Sequence, residues 1–196
     1  MSAFEFLFSF YGLLLGLTLV EVGSGFSRAL DARDERPMGV ILPLLTGVMI
    51  MDIATQWGSA WRDFREVEFS FRYLVAALCM TLAYYFSATQ LFPRDRSTAT
   101  SLDEHFFKHR IAILGGVLFA NLLATADAMS KQWGMNGADA VFWSRMAANA
   151  FWFGTIITAL VSKSRRVVIA ALGANLISSS TGCCASNPQS PAEFRR

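Results

Sequence analysis

Six side chains of this 196-residue chain sit in or beside long apolar stretches, where hydrocarbon does not tolerate them without a partner: Glu21, Asp52, Asn121, Asp127, Arg145 and Asn149. An ionised residue near the centre of a bilayer-crossing helix costs roughly 2.5–3.5 kcal/mol on the insertion scale, so each must face another helix or water. A carboxylate held that way can take a proton or a cation. It can also stay protonated and hydrogen-bonded, fixing how helices pack. Glu21 lies about 10 Å along its helix from Arg28 and shares a face with Ser24, Gly25 and Arg28. It reads as a proton or cation site, or as a carboxyl that sets packing. Asp52 stands about 20 Å along its helix from Gly39. It heads a polar stripe of Thr55, Gln56, Ser59 and Asp63, with Trp57 and Trp61 on another face.

Asn121 and Thr125 are four residues apart, and Asp127 lies close to the same helix end. Arg145 and Asn149 repeat that spacing on the next helix. A buried arginine calls for a carboxylate, so Arg145 is expected to pair with Asp52 or Asp127. The alternative is that it snorkels to the interface. A polar vestibule open to the outside is the expectation, with Glu21 deeper towards the cytoplasm.

His105 and His109 in "SLDEHFFKHR" are four apart and share one helical face beside Asp103 and Glu104, the chain's one metal-like constellation. Histidine-box membrane oxygenases need many more histidines than the two present. The competing reading is a Ser101/Glu104 capping box that opens a short amphipathic helix, with Phe106 and Phe107 resting in the interface. No metal or other cofactor is therefore expected, and His105 and His109 stand as the sole candidate ligands. Gly12 and Gly16 form a small-xxx-small spacing that lets backbones approach, within one chain or between two. No nucleophile elbow, phosphate loop, CxxC or dinucleotide fingerprint occurs, so nothing in the sequence names an enzyme.

These residues need elements to position them, and the hydropathy pattern supplies helices. Apolar segments cover 4–26, 39–57, 71–92, 110–129, 141–161 and 167–180, most of them near the roughly 20 residues a helix needs to cross hydrocarbon. They are too long, and alternate too little, for barrel strands. The fold class is therefore all-α, a polytopic transmembrane bundle of about six helices spanning residues 1–180. The sixth segment is short, which leaves five spans as the rival. Residues 181–196, rich in small residues and proline, read as a flexible C-terminal tail; Cys183 and Cys184 in it are candidates for acylation or are incidental thiols. The two sets of three helices would have opposite orientations, compatible with an inverted repeat.

Composition agrees. The chain is 54% hydrophobic and only 16% charged, with the charges clustered between apolar runs. A soluble domain of this length needs a more highly charged surface. A net charge of +2, with no basic face interleaved with stacking aromatics, gives no reason to expect nucleic acid. Three cysteines make no disulfide framework. Residues 2–4 carry no lysine or arginine and no cleavage site follows, so the first segment is expected to remain as an anchor.

Arg28, Arg33, Arg36, Arg94, Arg96, Lys108, Arg110, Lys163, Arg165 and Arg166 fall on one side of the predicted bundle. Arg62, Arg65, Arg72, Lys131, Arg195 and Arg196 fall on the other. The positive-inside rule then makes the denser side cytoplasmic and puts both termini outside a cell membrane. Trp57, Trp61, Trp133 and Trp143 share the outer interface.

The stretches "FLFSFYGLLLGLTLVEVGSGFSRAL" and "DIATQWGSAW" resemble small multi-pass bacterial inner-membrane proteins that carry no assigned activity. The resemblance covers the first third of the chain and implies a helical membrane protein, with no substrate. Taken with the polar positions, the expected function is movement of an ion, proton or small polar solute. A non-catalytic membrane subunit or scaffold is the alternative, and a membrane enzyme at His105/His109 ranks third. The expected partners are the lipid bilayer and a second copy or a membrane complex.

Overall fold

Hydrocarbon leaves a backbone no partner but itself, and each long apolar run of the chain is accordingly a helix. The computed structural model describes residues 3–35, 37–63, 71–93 and 101–185. Within them lie six helices: α1 (Ala3–Asp31), α2 (Ile41–Asp63), α3 (Phe71–Leu91), α4 (Leu102–Asn136), α5 (Ala140–Val161) and α6 (Arg165–Ala185). Four of these, α1 to α4, are long and apolar enough to cross a membrane. The first half of α5 is broken up by Ser144, Arg145 and Asn149, and α6 carries a run of serine, threonine and glycine towards its end. Among the described residues there is no strand.

Local chemistry sets the joints. Gly39 has φ +69°, a left-handed conformation that glycine adopts without strain, and it turns the chain into α2. Ser101 caps α4 by accepting the Glu104 amide at 3.2 Å. Gly137, with φ +66°, ends that helix by donating its N–H to the Trp133 carbonyl at 3.0 Å. Two residues later Asp139 caps α5 through the Phe142 amide at 2.7 Å.

Two boundaries depart from the expected ones. Residues 101–109 are not a separate surface helix: α4 runs unbroken for 35 residues, about 52 Å. Phe106 is fully buried in the core rather than on a surface, and Phe107 is half-buried against that core. The last helix continues to Ala185, five residues into the expected tail. Residues 186–196, and the side chains of Cys183 and Cys184, lie outside the described residues.

Successive helices run in opposite directions. One end of the bundle gathers Arg28, Gly39, Asp103, Arg110 and Arg165; the other gathers Phe4, Trp61, Trp133 and Phe142. At the tryptophan end Phe4 meets Trp61 edge-on at 5.4 Å, and Trp133 meets Phe142 at 5.6 Å. At the arginine end the Leu102 amide donates to the Pro37 carbonyl at 3.4 Å. There Arg165 reaches Asp103 at 2.7 Å and Arg110 donates to the Ser162 carbonyl at 2.7 Å.

Packed neighbours follow the ring α1–α3–α4–α5–α6–α2 and back to α1, with α2 also touching α4 across the middle. The two halves of the chain differ in this arrangement. In the first, α1 lies between α2 and α3; in the second, α5 lies between α4 and α6. An inverted repeat would place the same member centrally in both halves.

The core follows from spacing. Leu7, Tyr11, Leu15, Thr18 and Val22 make one buried stripe on α1, and Ala77, Thr81, Tyr84, Ala88 and Leu91 one on α3. Gly116 of α4 meets α3 so closely that a Cβ there would strike the Ser87 hydroxyl and the Ala83 carbonyl. The outward faces are apolar: Leu13, Val20, Ile111 and Ile177 are all exposed. Such a surface suits lipid rather than water.

Candidate functional site

Midway along α2, Asp52 is buried, 7% exposed, and its Oδ2 is the hub of a hydrogen-bond network. The Tyr84 hydroxyl of α3 donates to it at 2.7 Å, and the Asn121 amide of α4 donates to it at 2.7 Å. Asn121 Nδ2 also lies 2.8 Å from the Tyr84 oxygen and 3.1 Å from the Val117 carbonyl, so its two hydrogens are shared among three acceptors. Gln56, one turn beyond Asp52, donates Nε2 to Asn121 Oδ1 at 3.2 Å. Three helices are thus tied at one point by four polar side chains. A buried polar group is tolerated when it is bonded in this way.

Above this network, towards the tryptophan end, opens a cavity of about 480 Å³. Its lining comes from every helix: Tyr11 of α1, Asp52 to Ala60 of α2, Tyr73 and Met80 of α3, Asn121 to Lys131 of α4, Ala148 to Trp152 of α5, and Ser178 and Ser179 of α6. The space exists because the facing positions are small. Ala54 and Gly58 on α2, Ala124 and Ala128 on α4, and Ala148 on α5 cannot meet across it. Thr55 and Ser59 donate their hydroxyls back to their own helix, at 2.8 and 3.0 Å. That leaves their oxygens as acceptors facing the lumen. A second groove, between α3 and α4, shares Tyr73, Met80, Ala124 and Asp127 with the cavity and adds Arg72 and Ser130.

Four of the six polar positions singled out from the sequence therefore line one cavity: Asp52, Asn121, Asp127 and Asn149. Asp127 sits at the mouth, where Lys131, one turn on, approaches to 2.6 Å while lying 5.3 Å above the Tyr73 ring.

The other two stand elsewhere. Glu21 faces Arg28 of its own helix at 3.8 Å. Arg145 is exposed on α5 and donates to Gln132 at 3.1 Å. The expected ion pair of Arg145 with Asp52 or Asp127 is not what the structure shows. Arg145 lies in the second turn of α5, far from the depth of Asp52, and Asp127 is taken by the lysine one turn away on its own helix.

Gly12 packs against the Trp57 indole, 3.3 Å from where a Cβ would stand, whereas a Cβ at Gly16 meets nothing within 4 Å. Trp57 and Trp61 also pack edge-on against Phe8, at 6.2 and 5.1 Å. They therefore hold α1 to α2 at the tryptophan end of the bundle. His105 Nε2 lies 3.0 Å from the Gln90 carbonyl, His109 Nδ1 lies 3.2 Å from the His105 carbonyl, and the two rings stack at 4.3 Å. Among the described residues no group of three or more histidine, cysteine or acidic side chains converges for a metal.

Sequence reasoning missed three groups. Tyr84 is the chief one: a phenol in the middle of an apolar segment needs a partner for its hydroxyl, and that signal was present in "TLAYYF". Asn175, buried on α6, donates to Thr155 of α5 at 2.8 Å and joins those helices. Lys131, read only as a loop charge, stands at the cavity mouth. Comparison with known protein families, with curated proteins and with solved structures finds no match for this chain.

Proposed function

We propose that the chain is a six-span integral membrane protein that moves a small polar solute or ion through the Asp52 cavity. The observation that carries this reading is the convergence of polar side chains from all six helices on one opening whose floor is a buried carboxylate. A bundle that only had to hold together would gain more from filling that space with apolar side chains. On this reading α5 and α6 also cross the bilayer. The tryptophan end and both termini face outward, and the arginine-rich end is cytoplasmic, as the positive-inside rule requires. The cavity then opens outward, while the Arg165–Asp103 and Arg110–Ser162 contacts close the cytoplasmic end.

Two measurements test it. Purified protein in liposomes is expected to show solute flux that Asp52→Asn abolishes. A reporter fused after Arg196 is expected to be active outside the cell; activity inside reverses the orientation. A second reading, a non-catalytic membrane subunit that binds a second copy or a partner, is favoured by Glu21–Arg28 and Asn175–Thr155. Each pair joins residues within or between helices and lines neither of the two cavities described above. That reading expects co-purification of a stoichiometric partner and no flux in liposomes.

A further inference from the structure

Asp52 has two carboxylate oxygens, and the network accounts for one. Both Tyr84 and Asn121 donate to Oδ2. Oδ1 accepts no hydrogen bond from a described residue, yet it is not among the sealed, unpartnered atoms of the core. It is therefore the oxygen open to the cavity that Asp52 lines.

The charges on that lining do not cancel. Among the described residues they are Asp52, Asp127 and Lys131; Lys131 pairs with Asp127 at 2.6 Å, and no described cation is paired with the carboxylate at the floor. A buried carboxylate in this setting calls for a positive partner, and among the described residues neither Arg145 nor Arg72 supplies it. Arg145 is occupied with Gln132, and Arg72 lies in the adjoining groove.

The rest of the lining selects the kind of cation. Tyr11, Tyr73 and Trp152 present aromatic surface and Met80 a thioether, materials that favour an organic cation over a bare metal ion. Magnesium and calcium sites draw chiefly on carboxylate and carbonyl oxygens, and beside one uncommitted carboxylate oxygen of Asp52 this lining offers mainly hydroxyl and side-chain amide groups. A cavity of about 480 Å³ is also far larger than an ion, and lies within the size range of sites for small organic molecules.

We propose that this cavity binds a small protonated amine, its ammonium donating to Asp52 Oδ1 and its carbon body lying against Trp152 and Met80. The proposal deepens the transport reading by naming the substrate class and rests on it for the direction of entry; binding itself can be measured separately.

The test is calorimetric titration of the full-length protein in lipid nanodiscs with 2-phenylethylamine. Neutral 2-phenylethanol, anionic 3-phenylpropionate and sodium chloride serve as comparisons. The amine is expected to bind at one site per chain, about tenfold or more tighter than the alcohol, with no heat from the anion. Asp52→Asn, which keeps an acceptor for Tyr84 and Asn121, is expected to weaken the amine about tenfold or more and leave the alcohol unchanged. Trp152→Leu is expected to weaken both.

Equal binding of amine and alcohol by the unaltered protein overturns the proposal, and that comparison does not depend on any variant folding. Saturable heat from sodium with none from the amine overturns it in favour of an inorganic ion. Flux of another solute in liposomes with no amine binding sinks this inference and leaves the transport reading standing. Amine binding without flux of any solute does the reverse.

Discussion

At the scale of single residues, the Asp52 network allows its members to be ranked. Asn121 donates to both Asp52 and Tyr84 and accepts from Gln56, so it links every other member. Asn121→Ala leaves a buried carboxylate short of a donor and Gln56 short of an acceptor. Such losses cost about 1–3 kcal/mol each, and the thermal unfolding midpoint in detergent is expected to fall clearly. Tyr84→Phe removes one hydroxyl and is expected to cost less, about 1.5 kcal/mol. Because the two side chains touch, the double variant is expected to lose less than the sum of the singles; strict additivity would show that they act independently.

Part of this network was legible in the sequence. Asp52, Gln56 and Asn121 stood out as polar residues in apolar company. Tyr84 did not, because a tyrosine in such a run resembles aromatic filling until its hydroxyl is followed to a partner. The Arg145 pairing was misread for a different reason. Which residues share a depth depends on how far each helix is shifted along its neighbours, and hydropathy carries no such information.

At the scale of elements, the length of α4 is the main revision. Hydropathy marks where a helix becomes apolar, not where it begins, and the first two turns of α4 are held by Ser101 and by burial of Phe106. Ser101→Ala is expected to cost about 0.5–2 kcal/mol by removing the cap, and hydrogen exchange should localise the loss to residues 102–106. The contact between α3 and α4 makes a sharper prediction. Gly116→Ala places a methyl against the Ser87 hydroxyl and the Ala83 carbonyl and is expected to destabilise by about 1–3 kcal/mol. Gly16→Ala meets open space and is expected to keep or raise stability, by up to about 1 kcal/mol through helix propensity. If the two variants melt alike, α3 and α4 do not approach this closely. Gly12 belongs between them, since the Trp57 ring at 3.3 Å can move slightly to admit a methyl.

At the scale of the molecule, two ends with different chemistry are joined by a ring of helices. The arginine-rich end is closed by Arg165 against Asp103 and Arg110 against the Ser162 carbonyl, so α4, α5 and α6 are tied at one level. Asp103→Ala and Arg165→Ala are each expected to lower the melting temperature, and the double variant should be little worse than the more damaging single, because either change breaks the same pair. Solvent access should be asymmetric. In a cysteine-free background, a cysteine in place of Ser59 is expected to react with a charged thiol reagent added at the tryptophan end, and one in place of Ala88, buried deeper on α3, is expected to resist it. Equal reactivity would mean that the opening extends through the bundle. The helical class was legible from run length alone. The ring order was not, because α1 beside α3 and α2 beside α6 depend on which faces fit and not on which segments are apolar.

The Asp52 network also constrains how the protein is made. Its partners arrive late: Tyr84 is 32 residues further along the chain and Asn121 is 69. When α2 leaves the ribosome, neither exists, and the carboxylate has no donor in the bilayer. The second helix must then wait in a watery place, or beside the insertion machinery, until α4 has been synthesised. In ribosome-stalled chains ending before Leu102, a cysteine in place of the buried Ile53 is expected to react with a charged thiol reagent, and in chains ending well past Asn136 to resist it. Asp52→Leu should remove that difference, anchoring the second helix early at the expense of the cavity it helps to build.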